Sequence, residues 1–199
     1  MLRRLCKQLS WQMGYFNECM SGFEHQVASH MMAEGMTDEA LIITRSIHDR
    51  YHAAKRNPYN EIECSDHYAR AMASYGTFIT ACGFEYHGPK GYIRFSPKWN
   101  KENFKAPFTA AEGWGTYMQA LRDNKQLYTF DIKYGSLLLN TISVDRLNDQ
   151  NTKTVSIMSG NQKILNSFIE DEKGIHIKLN KAVRIKENER LEIVIADFA

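Results

Sequence analysis

Apolar and polar positions follow two different periods along this chain. Between residues 16 and 83, large apolar residues recur every three or four positions, as on one face of an amphipathic helix. From about residue 126 onward, apolar and polar residues alternate one by one, which is typical of strands with one buried face. The pattern predicts an α+β chain, with a helical segment over residues 1–125 and an antiparallel β domain over residues 126–199.

Three helices are predicted in the first segment. The first is expected to end at Gly35, Thr37 resembles the N-cap of the second, and the third is expected to run from near Ser65 to Gly83. The third helix carries small residues opposite its large ones and no formal charge after Arg70, so we expect it to be buried on all sides. The apolar stripes are Phe16, Met20, Phe23, Val27 and Met31, then Ala40, Ile43, Ile47 and Tyr51, then Tyr68, Met72, Tyr75, Ile79 and Cys82.

Extended structure is predicted after Gly83. The segment FEYHGPKGYIRFSP contains two short runs around a Gly-Pro-Lys-Gly turn, which favours a hairpin. The following segment, FKAPFTAAEGWGTYMQ, has too little periodicity for an assignment. The later alternating runs predict a small β-sandwich, and they comprise Phe130, Ile132 and Tyr134, then Val155 and Ile157, then Ile175, Ile177 and Leu179, then Leu191, Ile193 and Ile195.

Composition and charge exclude several classes of function. The 199 residues are 43% hydrophobic and 24% charged, and the net charge of +2 comes from 25 basic and 23 acidic residues spread along the chain. That distribution gives no basic patch for nucleic acid or an anionic membrane. No apolar run approaches the roughly 20 residues that cross a bilayer. Four cysteines without a CxxC motif favour reduced thiols, so we expect a cytoplasmic protein. No cofactor is expected.

The stretch RNPYNEIECSDHYAR, residues 56–70, concentrates polar side chains before the third helix. Apart from a charge on His67, Arg70 is the only cation of that helix, and a buried guanidinium needs a partner. One interpretation is an internal ion pair with Glu61, Glu63 or Asp66. The other is a polar patch that lines a pocket for a ligand with many hydroxyls, because carboxylates and Arg together satisfy the donors and acceptors of a sugar.

Four ordered blocks carry a resemblance to a known family. They are FNECMSGFEHQVASHMMAEGM, RNPYNEIECSDHYARAMASYG, GFEYHGPKGYIRFSP and FTAAEGWG, within residues 12–119. Together they resemble the C-terminal end of the catalytic domain in glycoside hydrolase family 116, which contains the non-lysosomal glucosylceramidases and related bacterial β-glucosidases. The resemblance implies the last helices of an (α/α)6 barrel, a retaining mechanism and a carbohydrate partner, a β-glucoside or sometimes a β-xyloside.

The resemblance also implies roles for individual residues. Glu61 and Arg70 match the family residues that bind the sugar at the non-reducing end, and Met20 stands where relatives commonly carry a Trp that packs on it. No catalytic residue is assigned, because the family's two catalytic carboxylates lie upstream of these blocks. We therefore interpret the chain as the C-terminal part of a split, truncated or separately encoded enzyme, inactive alone. The alternative is a non-catalytic glycan-binding or accessory module that binds through its β-sandwich.

Three further groups of residues have an ordinary structural interpretation beside a functional one. His48 and His52 have the spacing of metal ligands, but a solvated helix end explains them better and no metal is expected. Cys64 with His67 lacks the third group that a thiol nucleophile requires. Trp99 and Trp114 fit equally well as sugar-stacking platforms or as packing residues.

Overall fold

A computed structural model describes residues 19–55, 57–59, 70–148 and 152–196. The chain forms two compact units, Met1–Ala81 and Cys82–Ala199. We call them the helical unit and the β-rich unit, and their composition confirms the predicted α+β class. Strands begin at Glu85, well before residue 125, while the assignment of residues 1–125 to a family segment stays a prediction. None of the described helices is long and apolar enough to cross a membrane.

The described part of the helical unit contains α1 (Ser21–Ala33), α2 (Thr37–Arg50) and α3 (Ala71–Cys82). Gly35 and Gly83 follow α1 and α3 with positive φ, so both predicted helix ends are confirmed. The N-cap prediction for Thr37 is wrong, because Met36 occupies that position and no side chain caps the helix.

The buried faces of the helices agree only partly with the predicted stripes. In α2, Ala40 and Ile47 are buried as expected. In α1 the predicted face is wrong, since Phe23 and Val27 are exposed. The buried side of α1 consists of Ser21, His25, Ala28 and Met32.

Helix α3 is not buried on all sides, so that prediction is also wrong. Its large residue Met72 is 85% exposed, whereas Thr77 is buried. The contact with α1 runs through small residues: the Ser29 hydroxyl lies 3.1 Å from that of Thr77, and a Cβ added at Gly76 would lie 3.3 Å from Ser29 Oγ. Small side chains let the two helices approach closely, which turns the larger ones outward.

The β-rich unit contains ten described strands. They are β1 (Glu85–His87), β2 (Tyr92–Phe95), β3 (Asn103–Thr109), β4 (Gly113–Arg122), β5 (Lys125–Val144), β6 (Thr154–Ser159), β7 (Gln162–Ile164), β8 (Asn166–Asp171), β9 (Gly174–Lys186) and β10 (Arg190–Ala196). Strands β1 and β2 form the predicted hairpin around a 3-10 turn at Gly88–Lys90. The segment without an assignment forms much of β3 and β4.

Two sheets share the long strand β5. Sheet 1 has the order β1-β2-β5-β9-β8, and sheet 2 has the order β3-β4-β5-β10-β6-β7. Among the described strands only β2 and β5 pair in parallel. Strand β5 passes from sheet 2 to sheet 1 at Gly135, where φ is +70° and an added Cβ would lie 2.1 Å from the Glu112 carbonyl oxygen. A side chain would not fit at this crossing.

The core between the two sheets is aromatic. The ring of Phe95 on β2 stacks on Tyr117 of β4, with centroids 3.8 Å apart and planes 6° from parallel. Phe108 and Phe130 of sheet 2 also contact Phe95, so the sheets face each other as in a sandwich. The predicted alternation is confirmed for the following residues, all buried: Phe130, Ile132, Ile157, Ile175, Ile177, Leu179, Leu191, Ile193 and Ile195.

Candidate functional site

A cavity of ≈ 430 Å³ lies within the helical unit. It is bordered by α1, α2 and the start of α3, and hydroxyl and imidazole groups line it together with aromatic rings. The lining residues are Ser21, His25, Thr44, Ile47, His48, Tyr51, Pro58, Tyr59, Ala71 and Ser74. Its volume lies within the range of about 300 to 1,000 Å³ that is usual for small-molecule sites.

An ion pair joins α1 to α2 beside this cavity. Arg50 contacts both carboxylate oxygens of Glu24, with Nη1 donating to Oε1 over 3.0 Å, and Nη2 also donates to the Ser21 hydroxyl over 3.3 Å. That hydroxyl lies 3.1 Å from the hydroxyl of Tyr51. The hydrogen bond from Arg50 to Glu24 raises the pKa of the guanidinium. This network fixes one wall of the cavity.

Two of the three predicted sugar-binding residues lie near the N-terminal end of α1. Met20 precedes the helix and is half-buried. Arg70 precedes α3, and its side chain crosses the first turn of α1, where a Cβ added at Gly22 would lie 3.3 Å from Arg70 Cδ. The neighbours Ser21 and Ala71 line the cavity. Glu61, the third predicted residue, lies outside the described residues.

The backbone of Arg70 corrects one prediction. Arg70 was expected in the first turns of a buried helix, but it has a φ of +46° and lies directly before α3. A left-handed residue cannot continue a right-handed helix. Its half-buried guanidinium lies near the positive end of the α1 dipole, which favours a carboxylate or another acceptor beside it. The acidic residues Glu61, Glu63 and Asp66, predicted as ion-pair partners, lie outside the described residues.

Two other carboxylates of the described chain are engaged in ion pairs. Glu24 is held by Arg50, and Glu112 is held by Arg184. The hydrogen bond from Arg184 lowers the pKa of Glu112, whereas a general acid needs a raised one. Glu112 is therefore not suited to protonate a leaving group.

A chain of hydrogen bonds in the β-rich unit has the composition of a catalytic triad. The Ser143 hydroxyl lies 2.8 Å from His176 Nδ1, and His176 Nε2 lies 2.9 Å from a carboxylate oxygen of Asp171. Ser143 is fully buried and faces His176 across two paired strands. A substrate cannot reach that hydroxyl, so these hydrogen bonds stabilise the pairing of β5 with β9.

No group of three metal-ligating side chains occurs among the described residues. His52 accepts a hydrogen bond from the backbone of Ala54 over 3.2 Å, and this contact agrees with a solvated helix end. Cys82 is buried, which raises the pKa of its thiol to about 11. Cys64 and His67 lie outside the described residues.

Similarity to known proteins is distant. No model of a protein family matches the sequence, and no curated protein matches it. Among solved structures the chain is similar to an alpha-L-rhamnosidase from Dictyoglumus thermophilum, with 15% identity and a TM-score of 0.36. The match covers 66% of this chain and 14% of that enzyme. This neighbour is a glycoside hydrolase, and the match does not support family 116 specifically.

Proposed function

We propose that this chain is the C-terminal portion of a retaining glycoside hydrolase that acts on β-glucosides or related sugars. In this proposal it supplies sugar-binding residues, and another polypeptide segment supplies the catalytic carboxylates. The observation that carries the proposal is the position of Arg70, whose side chain lies on the first turn of α1, two residues after Met20. Neither residue lines the cavity itself, but their neighbours in the chain, Ser21 and Ala71, do, and several other lining residues carry hydroxyl groups.

Each proposed residue has a distinct role toward the sugar. Arg70 donates charge-assisted hydrogen bonds to ring hydroxyls, and Glu61 accepts hydrogen bonds from them. Met20 provides an adaptable apolar wall in place of a rigid indole. Gly22 has no side chain, which leaves room for Arg70 to cross the helix.

Exposed apolar side chains on the helices are consistent with the (α/α)6 barrel that this proposal implies. All three described helices expose large apolar residues that are available to pack against further helices. These residues are Phe23, Val27, Leu41, Ile42, Met72 and Tyr75. In an (α/α)6 barrel they would pack against neighbouring helices.

The proposal requires a carboxylate pair from elsewhere. A retaining glycosidase uses two carboxyl groups about 5 to 5.5 Å apart, one as nucleophile and one as acid/base. The isolated chain should therefore not hydrolyse 4-nitrophenyl β-glucoside. Turnover that persists through purification and disappears in Glu112→Gln would place the chemistry within this chain and contradict the proposal.

Sugar binding by Arg70 can be separated from an ion pair that only stabilises the fold. In an NMR titration of the full chain with methyl β-glucoside, Arg70→Ala should weaken binding by about 2 kcal/mol or more, roughly 30-fold. Arg70→Lys should recover only part of the lost affinity, because an ammonium cannot form the paired hydrogen bonds of a planar guanidinium. The matched control is Arg45→Ala, which removes an exposed arginine paired with Asp49 on α2.

The ion-pair interpretation makes the opposite prediction for the same variants. Thermal unfolding of Arg70→Ala should then begin at a lower temperature, while methyl β-glucoside binds the folded fraction with unchanged affinity. That result would remove Arg70 from the sugar site.

A further inference from the structure

Two large aromatic side chains are exposed side by side on the β-rich unit. Trp114 on β4 is 49% exposed and Tyr134 on β5 is 60% exposed, and the two residues are direct partners across the strands. Aromatic rings contribute strongly to a core when they are buried, and paired rings in water commonly mark a binding surface. The exposure of Trp114 favours a role as a sugar-stacking platform over a role as a packing residue.

The local backbone turns these rings outward. The pairing of β4 with β5 shifts register between Trp114 and Gly115, and such a bulge re-aims the neighbouring side chains. Tyr134 accordingly leaves the buried series of Phe130 and Ile132. Gly113 stands beside the platform, where an added Cβ would lie 2.3 Å from the Tyr134 carbonyl oxygen.

Hydrogen-bonding groups flank the aromatic pair. Glu112 is two residues before Trp114, and Ser136 is two residues after Tyr134. Arg184 of β9 joins them, because its Nη1 donates to the Ser136 hydroxyl over 2.8 Å and forms an ion pair with Glu112. Donors and acceptors are therefore fixed together beside the rings.

Arg184 also lines a groove of ≈ 520 Å³ on the same unit. Three cations and two carboxylates contribute to its wall: Arg184, Lys186, Arg190, Glu189 and Glu192. Glu112 pairs with Arg184, and Asp131 pairs with both Arg190 and Lys133, so that four carboxylates balance four cations. A balanced groove does not favour a phosphate or sulfate group, whereas its many donors and acceptors suit a neutral ligand rich in hydroxyls.

We propose that Trp114, Tyr134 and the groove that begins at Arg184 bind a neutral oligosaccharide. One pyranose ring would lay its C–H face on an aromatic ring, and the following units would place hydroxyls against the polar groove. This site uses no residue of the helical unit, so it does not depend on the function proposed above.

Tryptophan fluorescence and NMR titration of the full chain with cellotetraose and with maltotetraose would test the site. At least one of these neutral tetrasaccharides should bind, and Trp114→Ala or Tyr134→Ala should weaken binding at least tenfold. Trp114→Phe should keep part of the affinity, because it retains an aromatic face. Ile169→Ala, an exposed apolar residue on β8, is the matched control and should leave binding unchanged. Arg45→Ala, which removes an exposed arginine of the helical unit, should also leave it unchanged.

Four outcomes would overturn the proposal. Neither tetrasaccharide binds, or binding is the same in Trp114→Ala as in the wild type. A heparin tetrasaccharide binds more tightly than both neutral probes and is released by salt, which would identify an anion site. Sedimentation detects a dimer that Trp114→Ala dissociates, which would show that the aromatic pair contacts a second copy of the chain.

Discussion

The two units of this chain bury different kinds of surface. The β-rich unit buries large aromatic and aliphatic side chains between two sheets, with Phe95 and Tyr117 stacked at the centre. The helical unit brings α1 against α3 through small residues such as Ser29 and Thr77, and leaves Phe23 and Met72 in water. An apolar stripe thus identifies the buried face in the β-rich unit and fails to do so for α1 of the helical unit.

The largest expected effect is in the aromatic core. Phe95→Ala should lower the free energy of unfolding of the β-rich unit by about 3 to 5 kcal/mol, because Phe95 is fully buried and the surrounding rings cannot fill the space. Urea unfolding followed by near-ultraviolet circular dichroism measures this change. Phe23→Ala on α1, where the ring is 63% exposed, should change stability by less than about 0.5 kcal/mol. Equal losses in the two variants would break the contrast between the units.

A smaller effect tests the reversed face of α1. Ala28 is fully buried and Val27 beside it is exposed. Ala28→Leu should destabilise the helical unit by about 1 to 3 kcal/mol through overpacking. Val27→Leu is the matched control and should change stability by less than about 0.5 kcal/mol. Urea unfolding followed at 222 nm reports both, and a stable Ala28→Leu with a destabilised Val27→Leu would restore the predicted stripe as the buried face.

The smallest expected effect concerns pH. The Asp131 carboxylate is 7% exposed, whereas that of Glu24 in the helical unit is 39% exposed. Burial acts to raise the pKa of Asp131, but Lys133 and Arg190, at 2.8 and 3.2 Å, outweigh it and lower the pKa. The two ion pairs of Asp131 should therefore stabilise the fold fully above the unfolded-state pKa of about 3.9. This stabilisation should be lost as the pH falls through the lower pKa of the folded state.

Unfolding of the wild type and Asp131→Asn at several pH values checks this expectation. The stability of the variant should depend less on pH below about pH 4 than that of the wild type. An equally steep loss of stability on acidification in the variant would mean that Asp131 contributes nothing to the acid transition.

Sequence alone predicted the β-rich unit better than the helical one, for a geometric reason. A strand has two faces, so alternation such as Ile175, Ile177 and Leu179 leaves one choice for the core. A helix has a continuous surface, and the side that packs depends on what its neighbours offer. Helix α1 packs against small residues of α3 such as Gly76, and no periodicity in the sequence indicates such a contact.

The candidate sites were predictable to different degrees. The family resemblance selected Met20 and Arg70, which the fold brings to one end of α1, and Glu61, which lies outside the described residues. The pair of Glu24 with Arg50 joins separate helices and carries no local signal. Trp114 was singled out by its glycine neighbours, but its partner Tyr134 was assigned to the core, because a register shift cannot be read from alternation.

The placement of β10 has a consequence for the order in which the β-rich unit can assemble. In sheet 2, β10 lies between β5 and β6, so β6 and β7 join that sheet only through a later strand. Pairing of β5 with β10 also closes a long stretch of intervening chain, which slows folding. During synthesis, β6 and β7 therefore cannot join sheet 2 before Arg190–Ala196 has left the ribosome, and until then the edge of β6 that pairs with β10 stays open to pairing with other chains.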